Sequence, residues 1–470
     1  MKSILTSLPL AYRVGVCGHA SRSVRTCFQA RRLHSESNAD TGTKTVRDVI
    51  SSLSEKVGAA KSFTQVSDRS FLLDLLPKSQ DELPPRSMKD SFDSAIIPLE
   101  SEVRLREKYV TFLGGVRVGR LLEDLDVFAV WLCYKHLENP RQKEDMPSPY
   151  SIVTALVDRI DFNHGVMLRP DRDIRLSGHV SWAGRSSMEA IIKVEQFNEG
   201  EWHQVTRAVF VMVARDPLNQ GSALVNPLVP ETPEEKRIFQ AGEINKLHRR
   251  VIQQESLFRV PPNESEKSLV HEVFMSMANP EQLSFASKKV PENSVWMEDH
   301  KLKNLIICHP ESRNIFNKIF GGFLMRKAFE LSWANVSVLR LVLPFADECI
   351  SLVIGWKEQL LGCISLEIHC IPDQPVEIGS LLYLNSQVVY TEGTHIQVST
   401  KASVMDAVTS EINLTNIFHF TYEVMRPGPT VLPRTYHEAM LYLDGRRHYQ
   451  LVRGLRKFYG QGEVPSDTRI

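Results

Sequence analysis

Two stretches of the chain are apolar around most of a helix's circumference. The first, Val116 to His136, is rich in Leu, Val, Phe and Trp; the second runs from Gly321 to Val338. Each is followed by segments in which apolar and polar residues alternate, the two-residue period of a half-buried strand. After the first helix these are Ser151–Phe162, Asp173–Trp182, Ser187–Phe197 and His203–Arg215, with turns at Gly184, Asn198-Glu199-Gly200 and Asp216-Pro217. After the second come Cys349–Trp356, Gly362–Ile371, Ser380–Tyr390, His395–Met405 and Asn413–Val424. A helix that is apolar nearly all round must be covered on most sides, and one curved antiparallel sheet does that. The pattern therefore predicts an α+β fold, a long central helix wrapped by a curved antiparallel sheet, present twice.

The repetition has a measurable offset. The first helix opens near Gly119 and the second near Gly322, 203 residues later. At a similar offset, the run from Val180 to Met188 resembles that from Val389 to Ile396. A period this long means two copies of one domain rather than a solenoid. Between them lies a proline-marked connector in which Thr232-Pro233-Glu234-Glu235 opens a helix: Thr caps, Pro takes the first helical position, and the Glu at 235 completes a capping box. The expected organisation is a leader at 1–35, a polar lead-in with a helix near Thr45–Glu55, a first domain at 84–216, a connector at 217–284, a second domain at 285–425 and a tail at 426–470. Each sheet leaves an edge strand to cover, so the two halves should pair.

Composition narrows the function. At 42% apolar and 24% charged residues, the 470-residue chain is globular rather than disordered. Its 56 basic residues balance 56 acidic ones, which argues against a nucleic-acid coat. The best candidate for a membrane span, Leu341 to Trp356, is broken by Pro344, Asp347 and Glu348. The balance hides an asymmetry: residues 1–35 hold Lys2, Arg13, Arg22, Arg25, Arg31 and Arg32 and no acid. An Arg-rich, Ser-rich, acid-free start is the composition of a mitochondrial transit peptide. The mature chain is then mildly acidic, and its cysteines show no CxxC spacing, so neither a disulfide framework nor a zinc site is suggested. Serine-hydrolase, dinucleotide, Walker and HExxH signatures are absent, and no cofactor is expected.

The chemistry-bearing segment is Asn314-Ile315-Phe316-Asn317-Lys318-Ile319-Phe320-Gly321-Gly322. It resembles the signature of the hotdog acyl-CoA thioesterases, in which an Asn stands seven residues before a Gly-Gly pair that opens the central helix. The resemblance implies a tandem hotdog that hydrolyses fatty acyl-CoA to a free fatty acid and coenzyme A, in the mitochondrial matrix. Gly321 and Gly322, at a helix N-terminus, would offer backbone N–H groups to the thioester oxygen. Asn314 would position water or carbonyl, with Asn317 a structural turn residue.

The family's acid, eight residues after the first glycine, is missing from the second copy, where Phe329 stands; its neighbour Glu330 reads as an ion-pair partner of Arg326 or Lys327. The first copy has the complementary defect, with Val118-Gly119 for the Gly-Gly pair and Thr111 for the Asn, yet Asp126 on the acid position. Hotdog sites take groups from both partners, so Asp126 can combine with Asn314, Gly321 and Gly322 in one complete site, leaving a dead mirror site. Glu123 and Asp124 are accounted for by the helix N-terminus. If Gly114-Gly115 were the true pair, Glu123 would become the acid. Arg185 and Ser186, in the turn after Gly184, are candidates for the coenzyme A phosphates. The alternative reading is a silent hotdog protein that binds acyl-CoA or a partner; a hotdog dehydratase lacks its paired His and acid. A homo-oligomer, a trimer of double hotdogs, is expected, with no nucleic acid and no membrane span.

Overall fold

The computed structural model describes residues 44–58, 68–143, 146–162, 168–279, 284–312, 318–341, 360–370, 376–405 and 411–455. The expected leader and the strand at Cys349–Trp356 lie outside them. Among the described residues, ten strands form one antiparallel sheet: β1 (Asp93–Ile97), β2 (Ser151–Phe162), β3 (Ile174–Ala183), β4 (Ser187–Asn198), β5 (Glu201–Arg215), β6 (Lys301–Ile307), β7 (Leu360–Cys370), β8 (Leu381–Glu392), β9 (His395–Met405) and β10 (Ile412–Val424). Their order across the sheet is β1-β3-β4-β5-β2-β7-β10-β9-β8-β6. Each half thus has the same topology, and the two meet through equivalent strands, β2 and β7, with Leu156 opposite His369 and Ile160 opposite Leu366. This pairing removes one edge from each half-sheet, as their exposed backbone groups require.

The first central helix, Val118–His136, buries Leu121, Leu122, Leu125, Phe128, Ala129 and Leu132 against the first half-sheet. The second, Gly321–Leu341, buries Leu324, Met325, Ala328, Phe329, Val336 and Leu339. The fold is the α+β hotdog in tandem. Two strands escape the sequence pattern: β1 is only five residues long, and β6 mixes Lys301, Lys303 and Asn304 with exposed Leu305 and Ile307 at the sheet's outer edge.

The helices packed against the sheet's outer surface extend the duplication. The capping box at Thr232 forms as expected, its Oγ1 accepting from Glu235 N at 3.1 Å, and opens the helix Pro233–Gln254. A C-terminal helix, Tyr436–Val452, begins 203 residues later. Each carries a glycine at the same point. A Cβ on Gly242 would lie 2.5 Å from Trp182 Cβ, and one on Gly445 would lie 2.7 Å from Val389 Cγ2. The outer helices thus keep the same 203-residue offset as the rest of the two copies.

Gly242→Ala tests this packing. On an open helix face the change stabilises by about 0.5–1 kcal/mol. Against Trp182 it should instead lower the urea midpoint, at a cost of about 1–3 kcal/mol, the usual range for overpacking. A raised midpoint would show that the helix stands off the sheet.

Candidate active site

Where the two central helices meet, their N-terminal ends cross at glycines. Gly119 packs on Arg326, where an added Cβ would lie 3.2 Å from Arg326 Cγ; Gly322 packs on Glu123, where it would lie 2.8 Å from Glu123 Cα. These contacts are related by the 203-residue offset: Gly119 matches Gly322, and Glu123 matches Arg326. The last two pair with each other, Arg326 Nη1 donating to Glu123 Oε2 at 3.2 Å. Glycine is required here for close approach of two helices.

That approach brings Asp126 to Gly322. Asp126 is fully buried, and its Oδ2 accepts from Gly322 N at 2.8 Å. Its Oδ1 accepts from Thr154 Oγ1 at 2.6 Å. A Cβ on Gly321 would lie 3.1 Å from Asp126 Oδ2, so that glycine also keeps the space beside the carboxylate open. The acid of the first copy and the glycines of the second therefore lie side by side. Asn314 and Asn317 lie outside the described residues. Burial raises the pKa of Asp126 to about 6, with the Thr154 and Gly322 hydrogen bonds opposing it.

Thr154 has no signal in the sequence. It sits in β2 opposite Met212, and register shifts between Thr154 and Leu156 and between Val157 and Arg159 interrupt the strand's pairing with β5. Such a bulge re-aims side chains and cannot be read from alternation.

The other acids of the first helix have different tasks. Asp124 is not explained by the helix N-terminus alone: it is buried, accepts from Tyr109 Oη at 2.5 Å, and burial raises its pKa to about 6 despite nearby Arg120. Glu123 pairs with Arg120 and Arg326. Gly114-Gly115 forms a turn ahead of the helix, with Gly114 N donating to Thr111 O, so Val118-Gly119 is the pair that opens it.

The mirror site is filled. Phe329 occupies the position equivalent to Asp126 and packs edge-on against Phe420, with Tyr422 beside it. Glu330 accepts from Arg117 Nε at 2.9 Å and from Arg326 Nε at 3.3 Å, the ion-pair role expected of it. Arg185 and Ser186 lie in the β3–β4 turn, which is closed by Gly184 N donating to Ser187 O; Arg185 is exposed.

No protein-family model matches the chain. It is 45% identical to human mitochondrial acyl-coenzyme A thioesterase 9 over 421 residues, covering 88% of this chain and 91% of that protein. The bovine protein of the same name is 44% identical over 90% of this chain and 92% of its own length. The chain belongs to the acyl-coenzyme A thioesterase family. A mitochondrial family member from Humulus lupulus, acyl-coenzyme A thioesterase 4, is 33% identical over 78% of this chain and 68% of its own. Among solved structures, a hexameric acyl-CoA thioesterase aligns over 37% of this chain and 99% of its own at 23% identity, with a TM-score of 0.31. The 12:0-ACP thioesterase of Umbellularia californica aligns over 71% and 94% at 9% identity, with a TM-score of 0.39.

In this thioesterase the buried carboxylate has a consequence for stability. A carboxyl with a folded pKa of about 6 holds its proton more tightly than in the unfolded chain, where about 3.9 is usual. Its contribution favours the fold below about pH 4 and is lost as pH rises to 6. Asp126→Asn is a neutral isostere that can accept from Gly322 and donate to Thr154. Its melting temperature at pH 7.5 should equal or exceed that of the parent. A drop of many degrees would mean that the charged form is what the fold requires.

Proposed function

We propose that the chain hydrolyses acyl-CoA thioesters to a free fatty acid and coenzyme A in the mitochondrial matrix, at one composite site per chain. The observation that carries this reading is the hydrogen bond between Asp126 and Gly322, which joins acid and glycine pair across the two copies. Asp126 acts as general base. It takes a proton from water as the water oxygen bonds to the thioester carbon, the C–S bond breaks, and the proton passes to the leaving sulfur. Thr154 and the Gly322 N–H hold the carboxylate in place. Because the Gly322 N–H is engaged by Asp126, the Gly321 N–H, at the first position of the helix, receives the thioester oxygen as it gains charge. Asn314 orients water or carbonyl, and Arg185 with Ser186 contacts the coenzyme A phosphates. Phe329 leaves the mirror position without an acid, so that site is catalytically silent.

We also infer a homo-oligomer, a trimer of chains. The support is the exposed edge strand β6, whose Leu305 and Ile307 are more than half exposed at 55% and 56%. The matrix location rests on the acid-free, Arg-rich first 35 residues and on relatives named mitochondrial.

Thiol release from a panel of acyl-CoAs tests the activity. Asp126→Asn should lower the rate by about 10²–10⁴-fold, the usual contribution of a general base. Glu330→Gln, at a carboxylate that pairs with Arg117 and Arg326, should change it little. A folded Asp126→Asn protein with near-normal turnover would reject the assignment.

The pH profile is a second test. A base must be ionised, so kcat/KM should rise with pH through about 6 and level off above it. Thr154 donates to the charged carboxylate, and such a bond is worth about 1.5–3 kcal/mol. Thr154→Val should therefore move the acid limb upward by roughly one to two pH units. Tyr109→Phe, which alters Asp124 instead, should leave the limb in place. A limb that follows Tyr109 would make Asp124 the titrating group.

N-terminal sequencing of the protein recovered from mitochondria should find a start beyond the Arg31-Arg32 cluster. An intact Met1 would contradict the transit-peptide reading.

A further inference from the structure

An ion pair that takes no part in the chemistry stands one helical turn from the Asp126–Gly322 hydrogen bond. Glu123 lies three residues before Asp126 on the first central helix, and Arg326 lies four residues after Gly322 on the second. Those spacings put each member of the pair on the helix face that carries its neighbour in that hydrogen bond. Both are also the residues on which the crossing glycines press. A Cβ on Gly322 would lie 2.8 Å from Glu123 Cα and 3.2 Å from Glu123 O; one on Gly119 would lie 3.2 Å from Arg326 Cγ and 3.5 Å from Arg326 O. A shift of Glu123 relative to Arg326 is therefore a shift of Asp126 relative to the Gly322 N–H.

Burial separates this pair from an ordinary surface one. Exposed ion pairs contribute little, because water screens them. The Glu123 side chain is only 10% exposed and that of Arg326 only 22%. Arg326 Nη1 donates to both Glu123 carboxylate oxygens, at 3.3 and 3.2 Å. On one side Arg120 also donates to Glu123; on the other, Glu330 accepts from Arg326 Nε at 3.3 Å and from Arg117 Nε at 2.9 Å. Charges therefore alternate across the crossing, through Arg120, Glu123, Arg326, Glu330 and Arg117. Removing one member of a desolvated pair leaves the other charge uncompensated.

The 203-residue offset adds a second argument. Glu123 and Arg326 are equivalent positions, whereas Arg120 corresponds to Phe323 and Glu330 to Val127. Two first copies crossing in this way would set Glu123 against Glu123, and two second copies would set Arg326 against Arg326. Only a first copy against a second completes the alternation. That is also the pairing that brings Asp126 to Gly321 and Gly322.

We propose that Glu123 and Arg326 are positioning residues for thioester hydrolysis: their ion pair sets the register of the two central helices and so holds the Gly322 N–H on Asp126. The proposal rests on the reading of Asp126 as the base. It predicts an effect on turnover and not on substrate binding, since neither residue is among those assigned to coenzyme A.

Charge reversal in the full chain tests it, with acyl-CoA turnover and amide hydrogen exchange at Gly322 read on the same proteins. Glu123→Arg and Arg326→Glu should each lower kcat by about 10–100-fold, the scale of a misplacement of about 1 Å, with KM within about twofold of the parent. Exchange at Gly322 should speed up in both, because its N–H is no longer held. The double reversal restores opposite charges at the crossing. It should raise kcat by about fivefold or more over either single change and slow the exchange again, as coupled neighbours do. That recovery would also exclude Glu123 as the base, since no carboxylate then stands at position 123. Where a reversal does not fold, Glu123→Gln replaces it and should lower kcat and speed exchange in the same sense, by less. The proposal is overturned if the folded single variants keep the parent's kcat and Gly322 exchange, if the loss falls on KM alone, or if the double reversal is no better than the singles. A parent chain that hydrolyses no acyl-CoA would instead refute the thioesterase reading, and the exchange measurement would then decide the positioning by itself.

Discussion

The hydrogen bond from Gly322 to Asp126 crosses the join between two copies of one domain, and it holds only if both central helices are placed to within a fraction of an ångström. The helices can approach that closely because glycine occupies both crossing points, 119 and 322. The join of β2 to β7 fixes their distance from the other side. A carboxylate buried here would ordinarily be an unfavourable charge. Two donors, one from a backbone amide and one from Thr154, partly offset that cost, and the remainder appears as a pKa of about 6. The same tension between burial and charge makes the group a usable base near neutral pH.

Duplication explains why the site can be single. In a symmetric pair each copy supplies an acid to one site and glycines to the other, so both copies must keep both. Once the copies share a chain, each may lose what the live site does not take from it. On the proposed assignment, Phe329 and Val118 are such losses. Phe329 now fills its position with aromatic packing against Phe420 and Tyr422. Where the pseudo-axis passes between equivalent residues, divergence has been put to another use: Glu123 and Arg326 have taken opposite charges and pair with each other.

Much of this was legible in the residues. The two all-round apolar helices, most of the strands and the 203-residue offset follow from periodicity, because burial on one face or on all faces leaves a repeat in the chain. The expectation that Asp126 works with the glycine pair of the other copy came from comparing two damaged copies. What escaped detection was set by tertiary geometry. Thr154 depends on an irregular register in β2. The buried Asp124 takes its hydrogen bond from Tyr109, fifteen residues away. The packing role of Gly242 and Gly445 on the outer helices emerges only against Trp182 and Val389. The edge strands β1 and β6, short or polar, carry too little alternation to stand out.

The account's central claim is that one site per chain, built from both copies, performs the chemistry. A crystal structure of the Asp126→Asn chain with a bound acyl-CoA tests it most directly. The thioester carbonyl should lie beside the carboxamide introduced at position 126, against the Gly321-Gly322 turn, with the acyl chain leading away from it. A thioester seated instead at Gly119 and Phe329 would contradict the assignment of the live site and, with it, the reading of which copy supplies the base.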